Sequence, residues 1–418
     1  MMADETNNKL RSEKKRTSFF LSKTFECIVL AFFVACMMLF LLNVETASIL
    51  KYIGMACIFP YSIFNILASS KYKTFRYDKS ILLWIALFAI SIVFSGIFSS
   101  EIVGGLERAV SIFSLFILSI YLLPCMLSDL KIEVLMRVIS NTIFVVLLVC
   151  AVLFNDTFSI SYDPRRVGAM KRFLAGFSYP SCLGYYCFLG IVCSLYPILL
   201  KKESKRARVF SLIKIVFFAV LIFASNTRTT MLITCIFLLI FYYLKKWRKK
   251  PLVRIFVIYF TLLAVAVLTI LLESGVLSFE KIDLILSYRL TFWGRAIMTV
   301  LNSGSFLFGT GIYMDDITSS EFIQIDNGFV KTFYQYGFIS VVLLCILLIK
   351  IFMALKKKAN NDGTAFGEAL FLSFVIYCTS ESNFYVWVLL PVVVYCISGR
   401  FIGSEGTKDH RKLQHGKK

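Results

Sequence analysis

"KKESKRARVFSLIKIVFFAVLIFASNTRTTMLITCIFLLIFYYLKKWRKK" (residues 201–250) reads as a basic run, an apolar run, a short polar turn, a second apolar run and a second basic run. A helix needs about 17–25 apolar residues to cross the ~30 Å hydrocarbon core of a bilayer. Lys and Arg collect on the cytoplasmic side of such helices. The stretch therefore predicts two short spans, 209–226 and 229–244, with basic ends in the cytoplasm. The turn "SNTRTT" between them faces outward and carries Arg228.

The rest of the chain repeats the pattern. It has 418 residues, 58% of them hydrophobic, and a mean hydropathy of +0.79, more apolar surface than a soluble chain of this size can bury. Apolar runs at 26–43, 49–68, 80–98, 109–127, 139–154, 176–200, 255–272, 328–350, 366–380 and 384–399 bring the predicted spans to about twelve. The basic segments "KYKTFRYDKS" (71–80) and "KKK" (356–358) fall on the same side as 201–208 and 245–250 when the spans alternate. The expected fold is an all-α polytopic membrane protein, a single integral membrane domain with an uncleaved first span and no soluble domain before or after the spans. Its N-terminus (1–25) and tail (400–418) are expected in the cytoplasm. Two large loops, about 155–175 and 273–327, are expected outside, the second holding short amphipathic helices.

Composition removes several function classes. The formal charge of +20 comes in short runs between apolar segments rather than as one basic patch, which argues for topology and against a nucleic-acid partner. The twelve cysteines lie mostly inside apolar runs without paired or metal-ligand spacing. Both histidines, His410 and His415, are in the polar tail, which excludes a histidine catalyst or metal site in the membrane body. The G-x-G of "FGTGI" (308–312) has no strand–helix context, and no P-loop occurs.

What stands out is positive charge on the outer side. "YDPRRVGAMKRF" places Arg165, Arg166, Lys171 and Arg172 in an outside loop, with only Asp163 to offset them. Arg228 sits at headgroup depth, where a guanidinium must snorkel or find an anion. In "YRLTFWGRAIMTVL" (288–301) the apolar residues recur at helical spacing, predicting an amphipathic helix on the outer surface. Arg289 and Arg295 fall about 120° apart on it, so one can face lipid and the other a cavity. Pairing with lipid phosphate and a fixed site for a lipid-linked pyrophosphate both satisfy these cations, and a planar guanidinium holds either bidentately. Outside carboxylates are few: Asp315, Asp316, Glu321, Asp326 and Glu381. Glu381, between the last two spans, and Asp326 are candidates for taking a proton from a hydroxyl, or for pairing with a loop arginine. Asp315 and Asp316 lack a third ligand at useful spacing, so no metal site is expected.

The order of these elements resembles the Wzy-type repeat-unit polymerases and their relatives, the O-antigen ligases. The resemblance runs over roughly 170–390. It is carried by "KRFLAGFSYPSCLGYY" (171–186), the T-R turn in "ASNTRTTML" (224–232), the large loop with "YRLTFWGR" and "FGTGI", its close at "DNGFVKTFYQYGFIS" (326–340), and the acidic turn "TSESNFYVW" (379–387). It implies glycosyl transfer, inverting or retaining, at the outer leaflet of a bacterial cytoplasmic membrane. A glycan on undecaprenyl pyrophosphate would move onto the next lipid-linked unit with no cofactor. Implied partners are undecaprenyl-pyrophosphate-linked glycans, membrane lipids, a chain-length regulator and a flippase. The resemblance assigns pyrophosphate binding to Arg165, Arg166, Lys171, Arg172, Arg228, Arg289 and Arg295. It assigns catalysis to Glu381, Asp326 and Arg228. Ligases of this superfamily usually carry a histidine in the large loop; here that place reads Asp326–Asn327, which favours a polymerase. A flippase, the reading from another class, would need charges lining a path through the spans, and these spans look nearly free of charge away from their ends.

In a variant without native cysteines, single cysteines placed beside Arg166 and Arg295 should react with a membrane-impermeant maleimide added outside the cell. Labelling of both only from the cytosolic side would overturn this topology.

Overall fold

The computed structural model describes residues 22–43, 47–68, 79–98, 102–127, 130–162, 169–200, 204–247, 289–311, 327–356 and 362–379. In chain order these form α1 (Lys23–Leu39), α2 (Ala47–Ala68), α3 (Lys79–Phe98), α4 (Ile102–Met126), α5 (Ile132–Leu153), β1 (Phe158–Tyr162), β2 (Ala169–Phe173), α6 (Pro180–Leu200), α7 (Lys205–Ser225), α8 (Arg228–Trp247), α9 (Arg289–Asn302), α10 (Gly328–Lys356) and α11 (Asp362–Cys378). Eight of them, α2 to α8 and α10, are long and apolar enough to cross a membrane. α1 and α11, at 17 residues each, are shorter. The expected spans 255–272 and 384–399 lie outside the described residues.

Several sequence-based boundaries change. The pair around Arg228 is not short: α7 and α8 have 21 and 20 residues. Hydropathy sees only the apolar middle of a helix, whereas the hydrogen-bonded ladder continues through Lys205–Arg208 and Lys245–Trp247. For the same reason α4 and α5 begin about two turns before the apolar runs 109–127 and 139–154. The protein is also not purely helical. β1 and β2 form an antiparallel hairpin with Phe158 opposite Phe173, Ser159 opposite Arg172 and Ile160 opposite Lys171.

α6 organises the body. It packs against α5, α7, α8 and α11, and 78% of its span is buried, against 28% for α7 and for α8. Glycines make the close approach possible: a methyl at Gly190 would stand 2.5 Å from the Phe218 ring of α7. α3 and α4 cross in the same way at Gly96 and Gly105, where a methyl on Gly105 would meet the Gly96 backbone at 2.5 Å. Between α6, α8 and α11 the contact is aromatic, with Tyr196, Phe237 and Phe241 edge-on to Phe366.

The spans are less free of charge than expected. Lys214, in the middle of α7, is buried, and its ammonium donates to Ser140 Oγ at 2.6 Å and Asn141 Oδ1 at 2.9 Å on α5. Glu26 is buried near the start of α1 and accepts from Asn65 Nδ2 at 3.1 Å. Polar partners on a neighbouring helix are what makes such burial tolerable.

Gly105→Val should force α3 and α4 apart, an overpacking penalty of about 1–3 kcal/mol. Gly294→Ala, where the added carbon meets nothing within 4 Å, should be neutral or stabilising. Thermal unfolding of the two variants in detergent checks the contrast.

Candidate functional site at the hairpin end

Hydrogen bonds between distant segments gather the notable sequence motifs at one end of the helical body. Leu42 and Phe177 form a β-bridge, with Asn43 N–H donating to Gly176 O at 2.8 Å and Ser178 N–H to Leu41 O at 3.0 Å. The end of α1 is thereby tied to the segment joining β2 to α6. That segment turns sharply because Ala175 and Gly176 both take left-handed backbone angles, φ 48° and 80°. Gly176 is the glycine of the "R…G…P" stretch, and a side chain there would also strike the Phe154 ring. Thr157 closes the turn: its Oγ1 accepts from Gly176 N–H and donates to Phe154 O, both at 2.8 Å. Pro180 then starts α6, a position where its missing N–H costs nothing.

β2 packs against α7. Lys171 is exposed on this strand, while Arg172 is half-buried with its Nε enclosed. α7 ends at Asn226, left-handed at φ 48° and ψ 40°, and α8 starts with Arg228, whose side chain is exposed. Beneath Arg228 lies a cluster of hydroxyls. Ser225 Oγ and Thr227 Oγ1 are 3.1 Å apart, and Thr230 Oγ1 is 2.9 Å from Tyr377 OH at the end of α11. Tyr377 OH also reaches Ser181 O at 3.5 Å, in the first turn of α6. Gly184 leaves the space that the Thr227 and Thr230 hydroxyls occupy. The T-R turn, the start of α6 and the last turn of α11 thus meet at one point.

α9 reaches this end by way of α10. Ala296 and Val300 pack with Val330, Phe333 and Tyr334 in a small cluster of their own. The amphipathic helix expected at 288–301 is therefore present, with Arg295 exposed and Arg289 half-buried. The Trp293 indole N–H is enclosed and makes no hydrogen bond among the described residues. Asn327 caps α10, its Oδ1 accepting from the N–H groups of Phe329 at 2.9 Å and Val330 at 3.1 Å. α10 is broken at Gly337, φ 79° and ψ −178°. The segment 306–311 pairs with the break: Thr310 N–H donates to Tyr334 O at 2.8 Å, Gly311 N–H to Gln335 O at 3.2 Å, and Phe338 N–H to Phe306 O at 2.9 Å. Gly309 and Gly337 face each other there, and a side chain on either would run into the opposite backbone. This accounts for the G-x-G motif: its first glycine, Gly309, serves backbone contact with a broken helix. Phe308 stacks on Phe98 at the end of α3, centroids 4.1 Å apart, and Ser95 Oγ donates to Gln335 O at 2.8 Å.

Of the residues singled out in the sequence, Lys171, Arg172, Arg228, Arg289 and Arg295 are carried by elements of this end. Arg165, Arg166, Asp315, Asp316, Glu321, Asp326 and Glu381 lie outside the described residues. The sequence reading missed Tyr377, Thr230 and the break at Gly337. Only Gly337 left a signal, a lone glycine in an otherwise helical pattern.

Eight helices long and apolar enough to cross a membrane suggest a multi-pass membrane protein, one end of which carries cations on a hairpin, a T-R turn and an amphipathic helix. Residues 213–345, from α7 to the middle of α10, match the family model Wzy_C, described as O-Antigen ligase. That match supports membership of the O-antigen ligase and polymerase superfamily, a family of glycan-transfer enzymes. No curated protein matches it.

Gly176→Ala should destabilise the protein by about 1–2 kcal/mol, the left-handed penalty of a side chain, with the Phe154 clash in addition. Ala175→Gly should cost nothing or stabilise. Unfolding midpoints of the pair in detergent check both signs.

Proposed function

We propose that the protein polymerises undecaprenyl-pyrophosphate-linked oligosaccharide repeat units into O-antigen or capsular polysaccharide at the periplasmic face of the bacterial inner membrane. The hairpin end is the periplasmic end in this reading. Support for that orientation comes from the charge alternation, with Lys205, Arg206, Arg208, Lys245 and Lys246 at the opposite ends of α7 and α8.

In the reaction, the anomeric carbon of the growing glycan loses its bond to pyrophosphate. The electron pair leaves on undecaprenyl pyrophosphate. A hydroxyl oxygen of the next lipid-linked unit forms the new glycosidic bond, and its proton passes to Glu381 or Asp326. Energy is already stored in the donor, so no cofactor is required. The protein's task is to hold two large lipids and to stabilise negative charge developing on the departing pyrophosphate. Arg165, Arg166, Lys171, Arg172, Arg228, Arg289 and Arg295 are the groups assigned to that charge. A chain-length regulator and the flippase that delivers the units are the expected protein partners.

The observation that carries this reading is Arg228. It lies within the segment matched to the family, is exposed at the first position of α8, and stands on a turn held by Tyr377, Thr230 and Ser181. A guanidinium on a rigid support can meet a pyrophosphate bidentately. Ligation to a lipid core is the alternative within the superfamily, and Asn327 bears on it. At the place where ligases usually carry a histidine, this chain has a buried amide that caps α10. A flippase is disfavoured because Lys214, the fully buried cation within a span among the described residues, donates to Ser140 and Asn141 on a neighbouring helix.

In a deletion strain carrying Arg228→Ala, the surface glycan ladder should collapse to single repeat units, with Arg228→Lys retaining intermediate lengths. Normal chain lengths in Arg228→Ala would remove the pyrophosphate role. Long glycan that fails to reach the lipid core would indicate a ligase.

A further inference from the structure

A second group of cations lies at the same end, on elements that the T-R turn and α9 do not use. α2 and α4 both begin there. Lys51, in the second turn of α2, donates from Nζ to Ser111 Oγ on α4 at 3.1 Å. Its ammonium lies over the rings of Phe40, 6.0 Å from the centroid, and Tyr52, 5.8 Å. Arg108, one turn before Ser111, and Glu107 are close enough to interact with Lys51 electrostatically. Two cations therefore share the opening turns of two helices, whose N-termini already carry positive partial charge, and Glu107 offsets only part of it. Lys51 is not simply reaching into water: it is half-buried, held by a hydroxyl and two rings. Arg108 is exposed beside it. Around them Ile49, Tyr52, Val103, Leu106 and Val110 are all more than half exposed, Val103 at 82%. Apolar side chains so exposed at the end of a membrane helix offer a surface that acyl chains can cover.

We infer that the cation pair Lys51 and Arg108, at the starts of α2 and α4, binds the diphosphate headgroup of a second polyprenyl lipid through its phosphate oxygens, with the prenyl chain along the exposed apolar residues. The inference rests on the proposed polymerisation, which needs donor and acceptor lipids bound at once. Position supports it from both sides. Phe40, beneath Lys51, leads into the Leu42–Phe177 bridge and so to the hairpin. Gly105 on α4 lies against Gly96 on α3, whose last residue, Phe98, stacks on Phe308. The Lys51–Arg108 pair thus connects through its helices to both segments that carry the proposed site. Two cations on separate helices match two linked phosphates better than the single phosphodiester of an ordinary phospholipid, because each phosphate meets its own positive group.

The test counts bound lipid by native mass spectrometry. Full-length protein in phosphatidylcholine nanodiscs is titrated with undecaprenyl diphosphate, and separately with phosphatidylglycerol. Wild type should bind two diphosphate lipids and Lys51→Ala/Arg108→Ala one, the second affinity falling by at least about tenfold, as expected for one lost charge-assisted hydrogen bond. Lys51→Arg should retain both, and its unfolding midpoint, with that of the double variant, shows whether the fold survives. Two bound diphosphate lipids with unchanged affinity in a folded double variant would overturn the inference. So would an equal loss of phosphatidylglycerol, which would make the cation pair an anchor for bulk phospholipid. Wild type that binds no undecaprenyl diphosphate would instead defeat the proposed polymerisation itself, a result distinct from either.

Discussion

Three helices that are distant in sequence meet where α6 begins, and the contact depends on Gly184 having no side chain. The hydroxyls of Thr227 and Thr230 fill that space, and Tyr377 bridges Thr230 to the backbone at Ser181. Within a bilayer, packing between helices gains little from the hydrophobic effect, because lipid tails are as apolar as leucine. Small residues and interhelical hydrogen bonds take its place. A single junction of this kind sets the height of Arg228 relative to the hairpin that carries Lys171 and Arg172. It also fixes the last turn of α11, from which the chain continues to Glu381.

The broken helix α10 solves a second problem of the same environment. Interrupting a helix frees backbone carbonyls and N–H groups that the membrane interior cannot solvate. Here the freed groups are met by the loop segment 306–311 and by the Ser95 hydroxyl. Two glycines permit the backbones to touch. The consequence for function is positional: α9, with its two arginines, is anchored through Phe308 and Gly309 to α3 and α10.

Local chemistry made much of this legible before any coordinates. Apolar runs revealed where the eight described spans lie, and 288–301 showed its helical period. The cations at Lys171, Arg172 and Arg228 stood out because, on the side that charge alternation assigns to them, they break a simple rule. Other features left little trace. "FSISY" and "AMKRF" are short strands held by each other, by α7 and by the bridge to Leu42, so nothing within either segment announces a hairpin. Nothing in the sequence sets Lys51 apart, because Ser111 and Arg108, about sixty residues away, stand beside it only in the fold.

Sequence alone determined the class of the molecule. Hydropathy and charge are sums over neighbouring residues, and the bilayer reads them one helix at a time, so the apolar spans and the cationic segments between them follow from local composition. The family resemblance was likewise carried by short motifs in order. Only the tertiary structure decided which of those motifs touch, where a helix breaks and which buried charges find partners. Those outcomes depend on close contacts between segments tens to hundreds of residues apart, at single glycines and single hydroxyls, and no property of an isolated stretch encodes them.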